Sequence, residues 1–369
     1  MATIEESIKA VEEEISKTEY NKATSHHIGK LKAKLARLKE EQFVRASSKG
    51  VGKGYAVRKS GNATVALVGL PSCGKSTLLN HITNAESEVA AYDFTTLTVV
   101  PGIMEHRGAK IQVLDLPGLI EGASKGKGRG REVLAVVRTA DLIVLLMDVF
   151  RPELDVLVRE LHEAGLRLNE READLAITPR NRGGINVRST VALTYLDEVL
   201  IHDMVREYGL INADVVIRQD ITDDQLLDYL RGNRRYVKAI VALNKIDVVD
   251  ETVWRPVAKR LESRGYPVIN IAAEKGLNID TIRDAIFDNL DLMRVYMKPR
   301  GEEADLKDPL IIRTGSTVLN VCDTVHRDIK RKFRFARIWG ESAKFPGQSV
   351  GFEHILQEGD IIQIVQRTQ

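Results

Sequence analysis

Cysteine is almost missing: Cys73 and Cys322 are the only two in 369 residues. Two cannot build a disulfide framework, so a reducing compartment is the expectation. Long apolar runs are missing too. The longest, near residues 140–149, falls short of the ~18 to 20 residues that span a bilayer. Residues 1–6 are acidic and lack the basic-then-apolar layout of a secretory signal. A cytoplasmic protein with no membrane partner is therefore expected. What is present, 43% hydrophobic and 29% charged residues, suits globular domains and excludes a disordered or fibrous polymer. At ~150 residues per domain, the length predicts two or three of them.

The formal charge of +2, from 54 Lys+Arg against 52 Asp+Glu, hides a segregation along the chain. Residues 1–20 are net acidic, whereas residues 21–59 are rich in lysine and arginine against only Glu40 and Glu41. A second basic cluster holds Arg327, Lys330, Arg331, Lys332, Arg334 and Arg337 against Asp328 alone. Two basic patches flanking a near-neutral centre point to an anionic partner, because steering depends on local charge. The competing explanation for either patch is a solvated helix face.

Ile4, Ile8, Val11 and Ile15 recur at helical spacing behind a capping box of Thr3 and Glu6, and Ile28, Leu31, Leu35 and Leu38 repeat that spacing. A helical hairpin over 1–48 follows, packed on itself or on the next domain, since its stripes are too short for an independent coiled coil. Residues 49–62 read as a basic, glycine-rich linker. Short β-branched and aliphatic runs at 64–68, 110–114, 142–147, 239–243 and 268–271 then alternate with helical segments. That alternation predicts an α/β domain over 63–292, with a mostly parallel sheet covered by helices. The gap between Asp148 and Asn244 is too long for one crossover. Strand-like runs at 175–178, 185–188 and 215–217, with helices around 195–208 and 225–230, predict an inserted α+β subdomain over about 166–235. Past a polar linker at 299–309, a strand at 310–313, a helix at 317–332 and strands at 335–339, 349–352 and 360–365 form a small α+β module within 293–369.

The chemistry begins at Gly69-Leu-Pro71-Ser72-Cys73-Gly74-Lys75-Ser76-Thr77, between the strand-like 64–68 and a helical segment, the context a phosphate-binding loop requires. Gly69 and Gly74 let the backbone curl so that its N–H groups face phosphates. Lys75 neutralises the β and γ oxygens and the Ser76 hydroxyl ligates Mg²⁺. Asp115-Leu-Pro-Gly118 closes the next clear strand, with an acid placed for Mg²⁺ through water and a glycine N–H for the γ-phosphate. Asn244-Lys245-Ile-Asp247 closes a later one. A carboxylate there accepts both the ring N–H and the exocyclic amine of guanine, a donor pair adenine lacks, so the three motifs together select GTP and its product GDP. Cys73 needs no redox role, because small size explains it; His26-His27 has no ligand cluster nearby to make a metal site.

Tyr92-Asp-Phe-Thr95-Thr96-Leu97 and Asp115-Leu-Pro-Gly-Leu-Ile-Glu-Gly-Ala123 resemble the Obg-related translation-factor GTPases. The acidic-then-basic start, the insertion, and Gly315-Ser-Thr, His326-Arg-Asp and Glu358-Gly-Asp near the C-terminus resemble the developmentally regulated GTP-binding proteins, of eukaryotic or archaeal type. The likeness covers nearly the whole chain, least firmly the insertion. It implies that the C-terminal module is similar to a TGS domain, a ubiquitin-like β-grasp. It also implies that Thr96, or else Thr95, ligates Mg²⁺ when the first switch closes, and that the backbone at Ala272 and Ala273 touches guanine O6. The resemblance further implies a ribosome or structured-RNA partner and a dedicated regulatory protein; nothing points to DNA specificity. Ser72 stands where some potassium-stimulated members carry Asn, which leaves activation by K⁺ open.

After Gly118, where many GTPases place a water-orienting glutamine, this chain has Leu119, and an aliphatic side chain cannot orient water by hydrogen bonding. Slow intrinsic hydrolysis is the expectation. Gly122, Gly126, Gly128 and Gly130 interleave with Lys125, Lys127, Arg129 and Arg131, a pattern for a second switch that orders on GTP or a partner. Two alternatives remain: a GTP-stabilised scaffold with negligible turnover, and an ATP-using enzyme, which Asp247 argues against.

Overall fold

A computed structural model of the chain describes residues 3–19, 24–47, 60–83, 100–116, 130–325 and 327–366. Thr95, Thr96, Gly118, Leu119, all but Gly130 and Arg131 of the glycine-rich basic stretch, and most of the 49–62 linker lie outside these residues. The chain divides into two compact units, Met1–Gly54 with Gly165–Tyr236, and Tyr55–Ala164 with Val237–Gln369.

The larger unit is built on a sheet whose strands run Val268–Asn270, Arg235–Asn244, Leu142–Asp148, Ala63–Gly69, Ala109–Asp115 and Val100–His106 in that spatial order. All neighbours are parallel except the last pair. The antiparallel Val100–His106 edge strand is absent from the sequence reading: Pro101 and Gly102 break its pattern, and an edge position tolerates both. The longest apolar run becomes the central Leu142–Asp148 strand, with Leu142, Val144 and Leu146 fully buried against Leu67, Leu78, Ile282 and Ile286. Because the sheet is parallel, the carboxyl ends of Ala63–Gly69, Ala109–Asp115, Leu142–Asp148 and Arg235–Asn244 open on one side, where ligands bind in such sheets.

Within the same unit, a second sheet runs Leu310–Arg313, Leu292–Met297, Ile361–Gln366, Phe333–Trp339 and Gln348–Val350. The Val318–Val325 helix packs on one face, burying Val318, Val321 and Cys322 against Ala336, Ile338 and Ile362. Two of the sequence expectations change here. The helix expected over 317–332 is two, Val318–Val325 and Arg327–Lys332. Leu292–Met297, directly after the Ile279–Asn289 helix, is a central strand of the small module, bonded to Leu310–Arg313 and to Ile361–Gln366.

In the smaller unit, Thr3 and Glu6 form the expected capping box at the start of the Ile4–Lys17 helix. The inserted strands pair in the order Leu175–Pro179, Ala213–Ile217, Ile185–Ser189, beneath the Glu198–Glu207 and Asp223–Arg231 helices. The Ser25–Ser47 helix buries Ile28 and Leu31 but leaves Leu35 and Leu38 partly exposed. Its contact with the insertion is made by small residues instead. Ala33 and Ala36 join the core of Leu200, Ile201, Met204 and Val215, and a side chain at Gly29 would lie 2.8 Å from Leu200 Cδ1. Four cations of this helix are met by carboxylates: Lys30 by Asp203, Lys32 by Asp223 and Asp224, Arg37 by Glu207 and Glu41, and Lys39 by Glu12. Burial pulls the Lys32 ammonium pKa down, but hydrogen bonding to Asp223 and the charges of both aspartates outweigh it and hold it above its ordinary value. Part of the first basic patch, as far as it is described, is thus an ion-pair surface within this unit. Among the described residues no helix is long and apolar enough to cross a membrane.

Candidate functional site

Gly69 ends the innermost strand, and Gly74 leads into the Lys75–Ile82 helix, so the loop between them presents that helix N-terminus at the open ends of the sheet. The two glycines are required for different reasons. Gly74 has φ +99°, and a Cβ there would also meet Asn244 Nδ2 at 2.3 Å. Gly69 has no left-handed φ; a Cβ there would lie 2.3 Å from the Leu146 carbonyl. Its constraint is close strand packing rather than the curl read from sequence. Lys75 is 8% exposed, and its amine donates to the carbonyls of Gly69 at 3.2 Å and Leu70 at 3.0 Å. Those bonds hold the ammonium across the mouth of the loop. Pro71, Ser72, Ser76 and Thr77 are exposed on the same rim, and Ser72 is left-handed at φ +64°.

The Ser76 hydroxyl donates to Asp115 Oδ2 at 2.5 Å. Two hard oxygen donors, one from the helix start and one from the neighbouring strand end, suit a small divalent cation such as Mg²⁺. Cys73 is buried beneath the loop, and burial pushes its thiol pKa up even though Lys75 opposes the shift. That is the environment of an inert packing thiol.

Asn244 joins the base-reading segment to the phosphate loop. It is 3% exposed, its Nδ2 donates to the Cys73 carbonyl at 2.9 Å, and its Oδ1 accepts the Ala273 N–H at 2.9 Å. An amide nitrogen has two hydrogens, so one remains for a base edge. Lys245 takes a left-handed φ of +65°, and its amine donates to the Ser72 carbonyl at 3.1 Å and Asp148 Oδ2 at 3.2 Å. Asp247 faces Lys275, 3.0 Å away. At the expected guanine O6 contacts, the Ala272 N–H donates to the Leu277 carbonyl and the Ala273 N–H to Asn244 Oδ1.

Asp148 and Lys275 are members that the sequence reading missed. Asp148 ends the central strand and caps the following turn, accepting the N–H groups of Phe150 and Arg151. An acid at a parallel strand's carboxyl end was the signal available for it. Lys275 carried none, because its place depends on the short turn Ala273–Lys275. His26 and His27 are bonded to Asp197 and Glu14.

Comparison with known proteins agrees with this geometry. A family model described as a 50S ribosome-binding GTPase matches residues 64–178, one for the C-terminal region of the MMR_HSR1 domain matches residues 182–292, and one for the TGS domain matches residues 293–366. The chain is therefore a P-loop GTP-binding protein with a GTPase domain followed by a TGS domain. It is 53% identical to an uncharacterised GTP-binding protein of Methanocaldococcus jannaschii, covering 98% of this chain and 93% of that one. Developmentally-regulated GTP-binding protein 2 of Homo sapiens is 42% identical, covering 98% of this chain and 99% of that one. This chain belongs to the developmentally regulated GTP-binding protein family. Among solved structures, the Schizosaccharomyces pombe YchF GTPase is similar over 84% of this chain and 99% of its own, with 15% identity and a TM-score of 0.45.

Proposed function

We propose that this protein hydrolyses GTP to GDP and phosphate with Mg²⁺, slowly on its own, as a switch that acts in cytoplasmic translation by docking on the ribosome or structured RNA. The observation that carries the catalytic half is Asn244, which fastens the phosphate loop at Cys73 to the base segment at Ala273. That link supports a reading in which one nucleotide lies between Lys75 at the phosphates and Asp247 at the base. Ser76 and Asp115 would hold Mg²⁺, completed by Thr96, and the ion would supply positive charge against the phosphates. Lys75 supplies a fixed ammonium, and the N–H of Gly118 would meet the γ-phosphate. Guanine would be read by the Asp247 carboxylate and the second Asn244 hydrogen. K⁺ stimulation through the Ser72 position is compatible with this site and not required by it.

The docking half is supported by the description of the matched GTPase family and by the exposed basic residues of the TGS domain. A dedicated regulatory protein is proposed on the family likeness alone. A GTP-stabilised scaffold is the second reading, favoured specifically by Leu119. Phosphate release by the purified chain, measured with and without ribosomes in sodium and in potassium buffer, separates the two. Slow release that rises with ribosomes or potassium supports the switch; partner-stimulated GTPases gain ~10³ to 10⁵. No release under any condition would leave the scaffold.

A further inference from the structure

The TGS sheet has two unlike faces. One is packed under the Val318–Val325 helix. On the other, alternation along Phe333–Trp339 brings out Phe335, Arg337 and Trp339, in register with Val365, Gln363 and Ile361 of the neighbouring strand. Phe335 and Trp339 are part-exposed, while Arg334 and Arg337 are exposed. Both guanidinium groups lie over the Phe335 ring, at 5.8 and 5.9 Å from its centroid, and the Lys298 ammonium lies 5.8 Å from the Trp339 ring centroid. Phe345, in the turn that leaves this strand, is 60% exposed. The three strands Phe333–Trp339, Gln348–Val350 and Ile361–Gln366 contain no Asp or Glu.

Aromatic rings alternating with cations, on a part-exposed face whose central Gln363 is buried against the Pro299 carbonyl and whose three strands lack carboxylates, match one ligand chemistry better than others. Bases stack on aromatic and guanidinium planes while the cations meet the phosphates. A duplex hides its base faces and could use only the charges. A protein partner would be expected to bring carboxylates to the arginines, but would leave two part-exposed rings four residues apart on one strand, about 13 Å at the usual rise, without a specific role. We propose that this face binds single-stranded RNA, with bases stacked on Phe335 and Trp339 and phosphates held by Arg334, Arg337 and Lys298. The inference rests on the RNA-docking reading above and narrows it to one strand, one face and one RNA form.

The test uses the full chain loaded with GTP and unstructured RNA oligomers of roughly ten nucleotides, with blunt duplex RNA of the same length as comparison. The chain has two tryptophans, so Trp254→Phe leaves Trp339 as the sole reporter, and its fluorescence should be quenched by the single strand and not by the duplex. Phe335→Leu keeps an apolar strand residue and should weaken single-strand binding by about fivefold or more, with the salt dependence unchanged. Arg337→Gln should instead flatten the salt dependence by about one phosphate contact. GTP affinity, measured alongside, certifies the fold of each variant. If RNA or ribosomes bind but Trp339 is unquenched and neither variant differs from wild type, this face is overturned while RNA docking stands. If no RNA and no ribosome binds, both fall. Quenching by an acidic peptide but not by RNA would give the face to a protein partner and overturn the proposal.

Discussion

Cys73 sits inside the motif that binds phosphate, 3.9 Å from the Lys75 ammonium, a neighbour that would by itself favour the thiolate. Burial dominates, and the thiol pKa is raised above its ordinary value. A raised thiol pKa means less thiolate at every pH below it, so alkylation at pH 7 to 8 should be slower than for a free cysteine and should accelerate only in strongly alkaline solution. Iodoacetamide labelling followed by mass spectrometry checks this, and rapid labelling of the folded chain at pH 7.5 would show that the loop is more open than its packing implies. At this scale much of the site was legible. Lys75, Ser76, Asp115, Asn244 and Asp247 all announce themselves by residue type and spacing. Partnerships that span the sheet, such as Asn244 with Cys73 or Lys245 with Asp148, are set by strand order, which local spacing does not encode.

Among the elements, the Asp223–Arg231 helix of the insertion carries an ionic cluster with the fewest routes to water. Asp228 accepts from Arg167 at 2.5 and 2.7 Å and from Arg234 at 2.8 Å, with side-chain exposures of 7% for Asp228 and 4% for Arg167. Removing one charge from such a cluster leaves the others uncompensated, at a cost of about 3 to 5 kcal/mol. Asp228→Asn should therefore expose the insertion in hydrogen exchange, with peptides from Leu175–Pro179 and Glu198–Glu207 losing protection first. Unchanged exchange there would mean that apolar packing alone holds this unit. Elements were mostly legible where hydrophobic periodicity was strong, as in five strands of the GTPase sheet. They were lost where an edge strand tolerated Pro101 and Gly102, and where Gly29, Ala33 and Ala36 made a contact by being small, which an apolar-stripe reading of Leu35 and Leu38 overlooks.

For the whole molecule, composition predicted globular domains, strand–helix alternation an α/β core and the three motifs a GTPase, and the sheet and the family match agree with that. Charge is the property for which local sequence says least about pairing. The N-terminal run of lysines reads as a surface for an anionic partner, yet Lys30, Lys32, Arg37 and Lys39 are met by carboxylates from elsewhere in the same unit. On the TGS domain, Lys332, Arg334 and Arg337 are exposed. The central claim is still that this is a guanine-specific site, and it rests on one carboxylate. Asp247→Asn, tested by equilibrium binding of GTP and of xanthosine triphosphate to the purified protein, addresses it most directly. Asparagine presents an amide where guanine's amine needs an acceptor. The account predicts a loss of about 1.5 to 3 kcal/mol per charged hydrogen bond, roughly 10- to 150-fold in GTP affinity, with a gain for xanthosine triphosphate, whose 2-oxo group accepts. Unchanged GTP affinity and no gain for xanthosine triphosphate would contradict it.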